Sequence, residues 1–104
     1  MANNITAPHL WDLDTAEEVK AKGARVWVSH VHYQPAAVDN DLIIQEYDAS
    51  GTAKSAIVMK AGPSVVLPID RYYNPPLNLN GLAVGTIDGG HAFVTIVGYD
   101  PQSA

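Results

Sequence analysis

Two histidines one residue apart, His30 and His32, sit in the apolar run 25–33, and a third, His91, opens the last apolar run of the chain. Residues two apart on an extended strand project to the same face. The pair therefore has the spacing to share a metal ion, and His91 could complete a three-histidine site with an open position if its strand lay alongside. The alternative, two half-buried sheet residues with ordinary hydrogen bonds, is the one adopted, because Tyr33, Gln34, Pro35, Ala36 and Ala37 follow and none is acidic. Ser29 adjoins His30, but neighbours on a strand face opposite ways, so the hydroxyl cannot make the hydrogen bond that a nucleophile needs. Asp12, Asp14, Glu17 and Glu18 form an acidic group. We read it as capping and solvating, with Asp14 and Glu17 favoured by a helix dipole, rather than as paired catalytic carboxylates. Catalytic residues and metal ligands are both assigned as none, and no cofactor is expected.

The aromatic residues support two further ideas. Trp11, Trp27, Tyr33, Tyr47, Tyr72, Tyr73 and Tyr99 have rings able to stack on sugars, and the segment Tyr72-Tyr-Asn-Pro-Pro76 is the best exposed candidate, a rigid aromatic loop. A carbohydrate-binding β-sandwich module is thus one alternative. Tyr and Trp are also the residues that protein interfaces enrich, and this is the preferred use. The interface candidates are Leu10, Trp11, Leu13, Trp27, Tyr33, Tyr72 and Tyr73.

The elements that must position these residues are mostly strands. Residues 1–13 suit an extended N-terminal arm that anchors itself through Leu10, Trp11 and Leu13. Thr15 and Glu18 have the capping-box spacing, which predicts a helix of about two turns to Lys22 with Gly23 as its stop. Such a helix is marginal alone. From residue 24 onward, β-branched and aromatic runs alternate with turn residues: 25–33, 42–47, 55–59, 65–69, and two runs joined through Asp88-Gly89-Gly90, which predicts a closing hairpin. Pro68 suggests an edge or a bulge, and 70–80 reads as a long connection that changes sheets. The expected fold is all-β, an antiparallel β-sandwich of jelly-roll or Greek-key type with an N-terminal arm (1–13), one short helix, a single sandwich domain (14–100) and a C-terminal tail (101–104). With regular alternation, Val26, Val28, His30 and His32 share one face of the first strand, and Trp27, Ser29, Val31 and Tyr33 share the other. Neither face is polar, so both need a cover, from the arm or from another subunit.

Composition narrows the function classes. A chain of 104 residues fits one domain, and 47% hydrophobic with 16% charged residues is the balance of a packed globule. A net charge of −5 without any Lys/Arg cluster disfavours nucleic acid. The absence of cysteine excludes disulfides, a thiol nucleophile and Cys-ligated metals. No apolar run approaches membrane-spanning length and the N-terminus lacks a basic, then apolar, leader pattern, so a soluble, unexported chain is expected.

Two resemblances follow from the residues. His30-x-His32 resembles the His-x-His element of cupins, which implies a His-metal enzyme on a β-barrel; the carboxylate that cupins place a few positions later is absent here. Over most of its length, the chain resembles small tailed-phage structural proteins, particularly capsid decoration (cement) proteins. That resemblance is carried by Trp11-Asp-Leu-Asp-Thr-Ala16 before a Val-rich strand, Asp48-Ala-Ser-Gly51 between strands, and Gly81-Leu-Ala-Val before Asp88-Gly-Gly90. It implies a non-enzymatic protein on the virion surface, assembled in the host cytoplasm. It also implies self-association, with a homotrimer favoured, and an arm gripping the major capsid protein, while a fibre role remains an alternative. Nucleic acid and membrane are not expected partners.

Overall fold

A computed structural model of the chain describes residues 3–5 and 9–99. They form six strands: β1 (Leu10–Leu13), β2 (Glu18–Gln34), β3 (Asp41–Tyr47), β4 (Ala53–Lys60), β5 (Ile69–Ile87) and β6 (His91–Tyr99). All pair antiparallel in one sheet of order β1-β6-β2-β5-β3-β4. The pairs β1·β6, β2·β5 and β3·β4 are nested inside one another along the chain. The expected C-terminal tail, and residues 1, 2 and 6–8 of the arm, lie outside the described residues.

The sheet is rolled. Fully extended, the 19 residues of β5 would span about 60 Å, yet the longest dimension of the molecule is 41 Å. A flat six-stranded sheet would also hold its edge strands about 24 Å apart. Instead Trp11 and Leu13 of β1 share one buried cluster with Ile57 and Met59 of β4, together with Val26, Val28, Leu42, Ile44, Leu79 and Ile96. Rolling is the only way for one sheet to bury a single face this completely, and removing that apolar area from water is the main stabilising term. Buried Lys20 lies over the Trp11 ring, its ammonium 5.9 Å from the centroid, a cation–π contact.

A β-bulge in β2 overturns the expected two-sided apolar strand. The register shifts between Val28 and His30 against both neighbours, and Ser29 is the extra residue against β6. Side-chain parity therefore switches at Ser29. Val26, Val28, Val31 and Tyr33 all point inward and are fully buried, while Trp27, His30 and His32 lie on the outer face. In β6, Ala92, Val94 and Ile96 face the core. The core face is consistently apolar, and the need for a second cover inferred from regular alternation disappears.

Four other expectations are corrected. No helix forms over 15–22. Asp14 and Thr15 donate their backbone N–H groups to Asn3 Oδ1 at 2.7 and 2.8 Å, and the Glu18 carboxylate accepts from the Tyr47 hydroxyl at 2.8 Å instead of reaching back to Thr15. The chain enters β2 at Glu18 and pairs with β5, and these ladder bonds outweigh an isolated two-turn helix. Gly23 does take a positive φ of 96°, but within an irregular stretch of strand, where its N–H donates to Asn80 Oδ1. Residues 70–80 are strand, not a connection: β5 runs through them, and Pro75 and Pro76 fall where β5 bows away from β2, between the pairs His30↔Tyr72 and Val28↔Leu77, so no ladder donor is missed. Residues 65–68 are not strand, because β5 begins only at Ile69.

The closing hairpin is likewise absent. β5 and β6 do not pair; they flank β2 on opposite sides. Ile87 ends β5 opposite Leu42, and His91 opens β6 opposite Gln34, so Asp88-Gly89-Gly90 carries the chain across the roll. The turn is fixed by β3, with Asp88 N–H donating to the Asp41 carbonyl and Asp41 N–H to Asp88 Oδ2, and by the Tyr33 hydroxyl, which donates to the Gly89 carbonyl at 3.0 Å. Gly90 has φ 83°, and a Cβ there would collide with the Gln34 carbonyl.

Candidate functional site

The bulge that sends Val31 and Tyr33 inward sends His30 and His32 to the outer face, where β2 lies between β5 and β6. Cross-strand pairing sets Asp70 opposite His32 and Tyr72 opposite His30 on one side, and Phe93 opposite His32 on the other. Asp70 and Tyr72 are two residues apart on β5 and so share this face. His30 Nε2 and His32 Nδ1 both donate to Asp70 Oδ1, at 2.7 and 2.8 Å. An ionised carboxylate only accepts. The bonds thus fix both imidazoles with N–H toward Asp70, leaving His30 Nδ1 and His32 Nε2 as the other ring nitrogens. Hydrogen bonds from His32 and then His30 hold the Asp70 carboxyl below its ordinary pKa of 3.8.

The rings extend this cluster into a strip. Tyr72 stacks nearly parallel on His30, centroids 4.3 Å apart and planes inclined by 13°. His32 is 6.1 Å from Phe93, and His91, two residues before Phe93 on β6, stacks on it at 5.9 Å. His91 is committed elsewhere, with Nδ1 donating to Asp12 Oδ1 on β1 at 2.8 Å. The three histidines therefore do not converge. Among the described residues no group of three or more His, Asp or Glu side chains is disposed to hold a metal ion.

The interface candidates separate by depth. Trp11, Leu13 and Tyr33 belong to the chain's own core, and Tyr73 is half-buried against it. Trp27 is half-buried on the outer face, while Leu10 and Tyr72 are exposed. The arm's anchoring surface is its own sheet: β1 pairs with β6, and Asn4 bridges to Asp12 along the outer edge of β1. The N-terminal acids are also engaged, Asp12 with His91, Asp14 with the Thr15 hydroxyl, Glu17 with the Asn3 amide and Glu18 with Tyr47.

Sequence reasoning missed Asp70. The carboxylate sought just after His32 comes from β5, 38 residues along the chain. Its only local signal is the Asp70-x-Tyr72 spacing, which has meaning once that segment is recognised as strand. A cleft of about 370 Å³ lies elsewhere, lined by Arg25, Glu46, Tyr47, Asp48, Lys54 and Asn80. Several of its groups serve the fold: Asp48 closes its own turn through Ser50 and Thr52, and Asn80 bonds the Tyr47 carbonyl and Glu46. The outer-face cluster is the stronger candidate, and no family model, curated protein or solved structure matches the chain.

Proposed function

We propose that this chain is a non-enzymatic structural protein that attaches to a viral capsid surface and stabilises it as a homo-oligomer, with a trimer favoured and the major capsid protein as the other partner. The observation that carries the reading is the segment between β4 and β5. Val65, Val66 and Leu67 are 57%, 42% and 62% exposed on a stretch without regular structure, bounded by Pro63 and Pro68. A chain that buries its own core this well has no internal use for three consecutive exposed apolar residues, and such a patch is where a protein partner gains contact area. The finer architecture proposed with it is a β-sandwich of jelly-roll type. The nested pairs β1·β6, β2·β5 and β3·β4 support it, since wrapping such a nested ribbon brings its two halves face to face.

Light scattering on the pure protein and co-sedimentation with assembled capsids test the proposal together. The expected result is an oligomer that co-sediments, and loss of co-sedimentation in the Val66→Asp, Leu67→Asp double variant with its circular dichroism unchanged. A monomer that sediments with no particle removes the proposal.

A further inference from the structure

We propose that the outer face of β2 and β5 binds a neutral, hydroxyl-rich saccharide, with Tyr72 as the stacking platform and Asp70, His30 and His32 as the hydrogen-bonding group. This site is separate from the apolar segment 65–67 and does not depend on capsid attachment. Tyr72 is 76% exposed, and one face of its ring is stacked on His30. The rest of the ring is open to water. A flat, open aromatic ring supported from one side is what the C–H face of a sugar stacks on, at less cost in side-chain entropy than an unsupported ring.

The polar groups beside it suit hydroxyls. Asp70 Oδ1 is taken by both imidazoles, while Oδ2 makes neither of those bonds. The ring nitrogens turned away from these bonds, His30 Nδ1 and His32 Nε2, accept in a neutral imidazole, so together with Oδ2 the cross-strand cluster can offer acceptors to hydroxyl groups. Vicinal sugar hydroxyls are paired O–H donors. The geometry of the cluster is held by the strand pairing His32↔Asp70 and His30↔Tyr72, so it is organised before a ligand arrives. A cationic side chain is the competing occupant for a carboxylate flanked by rings. It is disfavoured because the Asp70 charge is already shared by two N–H donors, whereas the acceptor count is not.

The full chain is applied at pH 7.5 to an array carrying neutral, uronate, sialylated and sulfated glycans, with a lysine-rich peptide alongside, and the best-retained oligosaccharide is then titrated by calorimetry. Expected are retention of neutral glycans, a loss of about tenfold or more in affinity for Tyr72→Ala and Asp70→Asn, and near-normal affinity for Tyr72→Phe, which keeps the ring. Each variant is checked for an unchanged thermal midpoint, since both side chains are on the surface. The proposal is overturned by no retention of neutral glycans, by preference for anionic glycans or for the peptide, or by undiminished binding in Tyr72→Ala.

Discussion

The two faces of β2 carry different tasks within a few residues of each other. On the inner face Val26, Val28, Val31 and Tyr33 have no contact with water, and their neighbours come from every strand of the roll. On the outer face Trp27, His30 and His32 are half-buried, with β5 and β6 on either side. Stability depends on the first set, because apolar burial scales with area removed from water. The second set has the free ring nitrogens, the carboxylate and the open tyrosine ring, and contributes little to folding. The bulge separates the two arrangements: with Ser29 paired as an ordinary strand residue, regular alternation would place the histidines inside and Val31 and Tyr33 outside.

Val31→Asp breaks the comparison most severely. Val31 is fully buried on the inner face just beyond the bulge, so the variant loses the burial of the valine, worth about 2 kcal/mol, and encloses a carboxylate with no partner in an apolar core. Against a typical domain stability of about 5–15 kcal/mol, the expected outcome is an unfolded or aggregated chain, read by circular dichroism. A folded variant with normal melting would place residue 31 on the outer face and remove the parity switch at the bulge.

Next in size is Trp11→Ala, which tests whether the N-terminal segment belongs to the inner face. Trp11 is almost completely buried and lies under Lys20. A loss of about 4 kcal/mol is expected from chemical denaturation. Deleting residues 2–13 should accordingly cost the fold, whereas a detachable gripping arm would leave it intact. Retention of full stability in Trp11→Ala would return this segment to the role of a free arm.

How much of this was legible beforehand differs along the chain for physical reasons. The β-branched runs that became β2 beyond residue 24, β3, β4 and β6 could be read because their partners are apolar on the same period. The run 65–69 has equal β-propensity but its first residues have no neighbour to pair with, and propensity without a ladder leaves it exposed. The capping spacing at Thr15 and Glu18 is a local signal, and it was outcompeted by β5, more than 60 residues away in sequence. In Asp88-Gly89-Gly90 the announced positive φ is found at Gly90 and not at Gly89, and a turn residue cannot say which strand its neighbours pair with. The candidate site suffered most. His30 and His32 were visible as a pair, but the side on which they lie depends on a bulge, and Asp70 reaches them only through the register of β2 on β5.

Tyr33 joins the inner face to the turn that closes the roll, and so gives an intermediate effect. Burial first, then the nearby Asp88 and Asp41 carboxylates, raise its pKa above the ordinary 10.0. A phenol whose folded pKa is raised stabilises the fold below the unfolded value and loses that contribution as pH climbs through the folded one. Stability should therefore fall above about pH 10. Tyr33→Phe, which gives up the bond to the Gly89 carbonyl for about 1 kcal/mol at neutral pH, should show a shallower alkaline decline in urea midpoints. An identical decline would place the alkaline sensitivity elsewhere.

Asp70→Asn is the smallest perturbation to the fold and the sharpest test of the outer face. The folded pKa of Asp70 is lowered by its histidine donors, so below about pH 4 the unfolded chain binds this proton more readily than the folded one, and stability rises with pH across that window. Acidification removes the contribution; the asparagine variant has none to lose. At neutral pH the variant should melt almost with the parent, because the group is at the surface and solvent screens it. Between about pH 5 and pH 3 the parent should lose more stability than the variant, measured as the difference in urea midpoint. Parallel curves would mean that the two imidazoles do not hold Asp70 in solution, and the acceptor cluster beside Tyr72 would lose its organising principle while the inner face stayed untouched.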